Sequence, residues 1–206
     1  MRNEQIKKIA FTGIIIALII ILSFTPLGYI HLSILPGVSI TIIHIPVLIG
    51  SIVLGKKYGT VLGLIFGITS ILLAFLNMAT NAPFTNPIVS ILPRMAFGFL
   101  ISPLYNLINK LIKNGLASTI VTMCLATLIH TIIVLIPLFI VWRTGFYFGA
   151  AEYTAQYGNG SGMNLFAFIY GTLIANGIFE ILLAAIIGTP IAMAMKVVLK
   201  QNKIEE

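Results

Sequence analysis

Charge is scarce in this sequence. Charged residues make up 8% of its 206 positions, with 12 Lys and Arg against 5 Asp and Glu, whereas about 25% is usual in a soluble protein. So few charges cannot cover the surface of a soluble domain of this size. Cysteine is scarcer still, because the only one, Cys124, lies within an apolar run. A single cysteine excludes an intrachain disulfide and a thiolate metal cluster.

Apolar residues, by contrast, are abundant. They form 59% of the chain before its 18 glycines are counted. Six membrane helices of about 20 residues each need about 120 apolar positions, and 59% of 206 residues is about 122. The sequence therefore predicts an all-α integral membrane protein, in which residues 1–206 form one domain of six transmembrane helices.

The breaks between apolar runs divide the chain into spans. Proline, glycine and polar clusters place the six spans at residues 9–24, 40–54, 60–76, 88–108, 117–141 and 164–199. Pro46 is expected to kink the second span, and Gly55 to Gly59 is expected to form a tight turn after it. Gly59, Gly63 and Gly67 recur every four residues and predict a smooth face for close helix contact. The last run is too long for one untilted span, so we expect a short interfacial piece before the sixth helix.

The distribution of cations predicts the orientation of these spans. One set of connecting segments holds ten of them, and the other set holds only Arg143; the ten are Arg2, Lys7, Lys8, Lys56, Lys57, Lys110, Lys113, Lys196, Lys200 and Lys203. Positive residues favour the cytoplasmic side. We therefore expect both termini in the cytoplasm, and the loops 26–39, 77–87 and 142–163 outside. Orientation explains the net charge of +7, so nucleic-acid binding is not expected.

Arg94 is the cation that orientation does not explain, because it lies within a span. A buried guanidinium there costs a few kcal/mol unless it is paired or reaches water. It either has a structural role, or it awaits an anionic ligand, since its planar fork of donors fits a carboxylate or phosphate. Glu180 is an acid deep in the last span, and Asn176 lies one turn before it on the same face. Glu180 is either the partner of Arg94 or, with Asn176, a contact for hydroxyl and amide groups of a ligand.

Two histidines lie in the spans, His44 at the start of the second and His130 in the outer half of the fifth. His130 is the stronger candidate for ligand contact, with hydrogen bonding to a neighbouring backbone as the alternative. Neither histidine has acids at ligand spacing, so no metal is expected. An intramembrane enzyme using His130 or Glu180 lacks a recognisable nucleophile, so neither catalytic residues nor a cofactor are expected.

The outer loops carry the remaining candidate contacts. Residues 77–87 contain amides, hydroxyls and an aromatic ring without charge, which suits a neutral polar ligand as well as a solvated turn; the candidates there are Asn81, Phe84 and Asn86. Trp142 begins the third outer loop, either as part of an interfacial aromatic belt or as a lid residue over a ligand.

The first span has small residues on one face. Ala10, Gly13 and Ala17 lie there, and such faces either pack against other spans of the same protein or dock a different membrane protein. No nucleotide motif, carboxylate relay or pair of broken helices suggests an energy source within the chain.

Several stretches together resemble the substrate-binding S components of energy-coupling factor (ECF) vitamin transporters. They are Ile-Thr-Ile-Ile-His-Ile-Pro-Val-Leu-Ile-Gly from Ile40, Leu-Gly-Lys-Lys-Tyr-Gly from Leu54, Phe-Thr-Asn-Pro-Ile-Val-Ser-Ile-Leu-Pro-Arg-Met-Ala-Phe-Gly from Phe84, and Asn-Gly-Ile-Phe-Glu from Asn176. The resemblance covers essentially the whole chain. Gly55-Lys56-Lys57 departs from the Gly-Pro-Lys that members often have at this turn.

The resemblance implies capture of a water-soluble vitamin from outside, followed by docking on a transmembrane coupling subunit that two cytoplasmic ATPases drive. The family's Ala-x-x-x-Ala docking face maps onto Gly13 and Ala17, with glycine at the first position. The chain looks most like pantothenate-type members, and a ligand with a carboxylate, hydroxyls and an amide would use Arg94, Glu180 and Asn176 together. Folate, riboflavin or another vitamin is the alternative, and a self-sufficient secondary carrier is the alternative of another class.

Overall fold

The computed structural model describes residues 2–31 and 39–201, and side chains within 4–28 and 41–199. Helices dominate it: α1 Arg2–Ser23, α2 His44–Leu54, α3 Lys56–Leu76, α4 Met78–Asn81, α5 Pro87–Ser90, α6 Leu92–Ile112, α7 Gly115–Thr144, α8 Ala150–Tyr157, α9 Leu165–Thr172, α10 Ile178–Leu183 and α11 Thr189–Gln201. Two π-helical segments, Leu173–Gly177 and Ala184–Gly188, join α9, α10 and α11 into one rod. Pro26–Gly28 and Ala82–Thr85 are short 3₁₀ helices.

Within the described residues, five helices are long and apolar enough to cross a membrane: Glu4–Ser23, Lys56–Leu76, Pro87–Ile112, Gly115–Thr144 and Leu165–Leu199. The helix expected as the second span is shorter. It covers only the 11 residues of α2, about 16 Å at 1.5 Å per residue, against a hydrocarbon core of about 30 Å. Ten of its 11 residues are nonetheless buried, so α2 lies inside the bundle.

Two short strands precede α2, where the sequence predicts loop and helix. Tyr29–His31 (β1) pairs antiparallel with Ser39–Thr41 (β2), and Ile30 is opposite Ile40. Part of the predicted loop 26–39 lies outside the described residues, as do Lys203 and the side chains of Arg2 and Lys200.

Three further predictions about the helices are wrong. Pro46 does not kink a helix, because it lies in the first turn of α2, where a proline removes no intrahelical hydrogen bond. The expected turn at Gly55 to Gly59 is reduced to Gly55, whose φ of 94° ends α2, and α3 starts at the next residue. The last rod runs from Leu165 to Leu199 without a separate interfacial piece, because π-helical turns continue it.

The predicted glycine face of α3 is confirmed. A Cβ at Gly63 would lie 2.1 Å from the carbonyl oxygen of Arg94, and one at Gly67 would lie 2.7 Å from the Cα of Ile91. Gly59 and Gly98 face each other in the same way, since a Cβ on Gly98 would be 2.0 Å from the Gly59 carbonyl oxygen. Helices α3 and α6 therefore pack backbone against backbone.

Candidate functional site

Close packing of α3 against α6 fixes the backbone of Arg94. Arg94 is the third residue of α6 and follows Pro93 in the first helical turn. Its side chain is 5% exposed, and its Nη1 donates a hydrogen bond to the carbonyl oxygen of Val89. The guanidinium carbon lies 5.5 Å from the ring centroid of Phe66 and 5.2 Å from that of Phe84. Aromatic faces stabilise a buried cation and limit its rotation.

His130 lies beside this arginine in an aromatic enclosure. Its ring centroid is 4.5 Å from that of Phe97, 5.9 Å from that of Phe66 and 5.5 Å from that of His44, which stacks on it at 14°. The side chain is 6% exposed, and neither ring nitrogen has a hydrogen-bond partner among the described residues. A buried imidazole without partners costs free energy unless a ligand or water satisfies it.

His44 is fixed beside His130 by a neighbouring hydroxyl. The hydroxyl of Thr127 donates to the Met123 carbonyl oxygen at 2.8 Å and lies 3.4 Å from His44 Nε2. His44 thus contributes a stacking surface next to His130.

Glu180 and Asn176 face the bundle from the last rod. Asn176 is 8% exposed and lies in the first π-helical segment, and Glu180 is 7% exposed in α10. Glu180 Oε1 accepts a hydrogen bond from the backbone N–H of Thr41, at 2.8 Å. The same chain segment continues from Thr41 into His44, so Glu180 is tied to the element that carries the stacked histidines.

The fold brings several of the predicted candidates together. The ring of Phe66 lies against both Arg94 and His130, and the ring of Phe84 lies against Arg94. Glu180 is bonded to Thr41 in β2, three residues before the His44 that stacks on His130. The sequence analysis did not select Phe66 and Phe97, although both belong to this region. A signal was available, because Phe97 follows Arg94 by three residues and Phe66 lies beside Gly67 on the face that contacts α6.

Hydrogen bonds join segment 77–87 to segment 142–163. Asn86 Nδ2 donates to the carbonyl oxygen of Phe146 at 2.7 Å, and its Oδ1 accepts from the N–H of Ile88 at 2.9 Å. Thr85 Oγ1 accepts from the N–H of Phe148 at 3.0 Å. Asn81 ends α4 and is half-buried. The amide of Asn86 thus joins the two segments.

Trp142 lies apart from the polar region. It follows His130 by 12 residues in α7, about 18 Å along the helix axis. Its Nε1 donates to the Gly158 carbonyl oxygen at 2.8 Å, and its ring centroid is 5.8 Å from that of Phe168. The tryptophan therefore joins the end of α7 to Gly158 in segment 142–163.

The small residues of α1 do not pack inside the described part of the chain. Ala10, Gly13 and Ala17 are all exposed, and a Cβ at Gly13 would have nothing within 4 Å. Helix α1 packs on the bundle through another face, which carries Thr12, Ile15, Ile19 and Ser23. Internal packing of the small face, one of the two alternatives, is therefore wrong for the described residues.

Two other features bear on ligand chemistry. Among the described residues, no group of three His, Cys, Asp or Glu side chains is arranged to hold a metal ion. An open groove of about 450 Å³ lies beside the C-terminal end of α7, and its lining is apolar apart from one hydroxyl: Ile88, Pro137, Ile140, Val141, Thr144 and Phe146. This lining offers no charge to neutralise an anion, unlike the region around Arg94.

Comparison with known proteins gives consistent matches along nearly the whole chain. The family model described as "ECF transporter, substrate-specific component" matches residues 7–192. The pantothenate transporter PanT of Leuconostoc mesenteroides subsp. mesenteroides is 30% identical, over 91% of this chain and 91% of that protein. The pantothenic acid transporter PanT of Lactococcus lactis subsp. cremoris is 25% identical, over 95% of this chain and 96% of that protein.

Proposed function

This chain belongs to the family of ECF transporter substrate-specific components, and from that premise we propose that it captures pantothenate outside the cell for uptake. The observation that carries the proposal is the buried arginine, held between Phe66 and Phe84, with the partnerless imidazole of His130 beside it. A permanent cation beside unused polar atoms suits a ligand that is anionic at one end and polar along its length.

The chemistry of pantothenate matches these side chains group by group. Its carboxylate binds Arg94, and its hydroxyls and central amide bind His130, Asn176 and Glu180, which offer both donors and acceptors. Its two methyl groups pack against the rings of Phe66 and Phe97, which are buried next to His130. Two relatives with pantothenate in their names support the same ligand.

Folate and riboflavin are the competing vitamins. Each carries a large flat ring system that requires stacking faces of similar size. The aromatic rings around Arg94 and His130 already use their faces on these two side chains. The same rings are therefore better suited to contact small methyl groups than to stack on a flat heterocycle. The enclosure therefore favours pantothenate.

In the proposed topology the chain crosses the bacterial plasma membrane six times, with both termini in the cytoplasm. The ten-to-one distribution of cations supports this orientation, and the five long helices with the buried α2 supply the six segments. The ordered segments 77–87 and 142–163 then lie on the outer side, together with the end of α6 that carries Arg94.

The proposed energy source is a separate module, a transmembrane coupling subunit with two cytoplasmic ATPases. The exposed face of Ala10, Gly13 and Ala17 supports docking there, because close helix packing requires small side chains. Loaded protein would dock through α1, and ATP hydrolysis in the partner would drive release of the vitamin inside.

The binding proposal is tested by titrating purified protein in detergent with pantothenate, folate, riboflavin and biotin. We expect submicromolar binding of pantothenate, measured by calorimetry and by mass spectrometry of any vitamin that copurifies. Submicromolar binding of another vitamin instead of pantothenate would make that vitamin the proposed ligand. No binding of any vitamin, together with gradient-driven flux through liposomes that contain this chain alone, would favour the secondary carrier.

A further inference from the structure

We infer that Thr85 and Asn86 are positioning residues that clamp the third outer segment over the vitamin site and set the lifetime of the bound vitamin. The inference rests on the proposed function, because it needs a vitamin near Arg94. It assigns to Asn86 a role different from direct ligand contact, and it adds Thr85, which the sequence analysis did not select.

Two adjacent residues make the connection, each with one hydrogen bond to a backbone atom of the third outer segment. Asn86 Nδ2 donates to the Phe146 carbonyl oxygen at 2.7 Å, and the Phe148 N–H donates to Thr85 Oγ1 at 3.0 Å. The side chains of Thr85 and Asn86 are 1% and 6% exposed. Bonds that are buried on one side resist exchange with solvent better than bonds at an open loop.

The same two residues adjoin the cation site. Phe84 precedes them in the chain, and its ring lies 5.2 Å from the Arg94 guanidinium carbon. The carbonyl oxygen of Phe84 accepts a hydrogen bond from the Ser90 hydroxyl, which ties this short segment to the start of the helix that leads to Arg94. If the clamp opens, Thr85 and Asn86 move, and they directly follow Phe84, whose ring packs on Arg94.

The third outer segment also has ring contacts of its own, among three tyrosines. The ring centroids of Tyr147 and Tyr153 are 5.9 Å apart, and those of Tyr153 and Tyr157 are 4.8 Å apart. Burial and the two neighbouring phenols raise the pKa of Tyr153. The three rings thus pack together within the segment that the clamp holds.

The hydrogen bonds of Asn86 distinguish positioning from contact. Its Oδ1 accepts from the N–H of Ile88 and caps helix α5, while its Nδ2 is used on Phe146. Both ends of the amide are engaged within the protein. Asn86 therefore acts on the ligand through the third outer segment, which it holds in place.

The first test compares kinetics of four variants. Asn86→Asp keeps the capping oxygen but replaces the donor to Phe146, and Thr85→Val removes the acceptor for Phe148 together with the local bond from Thr85 to the Ala82 carbonyl oxygen. We expect each to raise the dissociation rate of radiolabelled pantothenate about tenfold, as for loss of one shielded hydrogen bond, with little change in the association rate. Thr85→Ser restores the hydroxyl and the slow rate, and Asn77→Ala, an exposed amide in the same segment, has no effect.

The second test locks the clamp covalently. A Cβ on Gly149 would lie 3.9 Å from the Cβ of Ala82, which is within the range that a disulfide spans. Ala82→Cys with Gly149→Cys, in a Cys124→Ala background, is loaded with pantothenate and then oxidised. We expect the oxidised protein to retain its vitamin through a chase with unlabelled pantothenate, and to release it after reduction.

The controls separate this inference from the proposed function. Gly149→Cys alone controls for strain, because Gly149 has a φ of 73°. If wild-type protein does not bind pantothenate, the proposed function fails. If wild-type protein binds it but the oxidised pair exchanges the vitamin as fast as the reduced pair, or if Asn86→Asp and Thr85→Val leave the dissociation rate unchanged, the clamp alone is refuted.

Discussion

At the scale of single residues, most buried hydroxyls of α7 are satisfied by their own helix. Thr119, Thr122, Thr127 and Thr131 each donate to the carbonyl oxygen four residues earlier. Hydroxyls bonded in this way are tolerated in a membrane interior. His130 lies on the same helix without such a bond, which is why its imidazole, rather than these hydroxyls, is assigned to the ligand.

The first residue-scale prediction concerns Arg94. Arg94→Ala should abolish pantothenate binding, with affinity lowered more than about 100-fold, because a buried charged pair loses several kcal/mol when one partner is removed. Arg94→Lys should lower affinity about tenfold, since an ammonium keeps the charge but not the fork of donors. Calorimetry measures both effects, and thermal unfolding checks that the fold persists. Unchanged affinity in both variants would make the arginine structural.

The second residue-scale prediction concerns His130. His130→Phe keeps a flat ring among Phe66, Phe97 and His44 but removes both nitrogens. We expect affinity for pantothenate to fall about tenfold while thermal stability stays equal or rises, because removing an unsatisfied buried polar group is neutral or stabilising. A stable variant with wild-type affinity would show that His130 serves packing alone.

At the scale of elements, close contact of α3 and α6 is what positions Arg94. The contact places Gly63 against the carbonyl oxygen of Arg94 itself, so the backbone position of Arg94 depends directly on this glycine. Between these helices there is no room for a methyl group, whereas helix α1 has open space at Gly13. Substitutions at Gly63 and Gly13 therefore form a matched pair, one in a closed helix contact and one in open space.

Gly63→Ala should destabilise the protein and weaken binding together. The added Cβ would lie 2.1 Å from a backbone oxygen, so the helices must separate, at a cost of about 1–3 kcal/mol in unfolding free energy. Gly13→Ala should leave both properties within error, because nothing lies within 4 Å of its Cβ. Thermal unfolding and pantothenate titration in detergent measure the effects; equal stability of the two variants would contradict the packing.

Local patterns predict much of this fold. Apolar runs locate the five long helices, because a membrane requires about 20 consecutive apolar residues, and the four-residue glycine spacing identifies the face of α3. Boundaries were less predictable: nothing local shows that Pro46 falls in a first turn, since that depends on where α2 starts. The partner of Asn86 is 60 residues away, and the partner of Glu180 is a backbone N–H 139 residues away, so neither follows from local sequence.

At the scale of the whole molecule, orientation decides whether the Arg94 region receives ligand from outside. In a Cys124→Ala background, Asn159→Cys should react with a membrane-impermeant maleimide in intact cells. Lys57→Cys, exposed at the start of α3, should react only after lysis, because cationic segments stay in the cytoplasm. Labelling of Lys57→Cys from outside would reverse the topology and with it the direction of capture.

The exposed small face of α1 makes a prediction about assembly. Gly13→Leu adds bulk where a neighbouring helix would approach, so we expect it to prevent copurification with a coupling subunit and its ATPases and to abolish ATP-driven uptake in proteoliposomes. Pantothenate affinity of the isolated variant should not change, because Gly13 is exposed and remote from Arg94 along the chain. Leu18→Phe adds bulk to an exposed position on another side of α1 and should permit both assembly and uptake. Normal uptake by Gly13→Leu would assign this face to lipid instead of a partner, and loss of pantothenate binding would return it to internal packing.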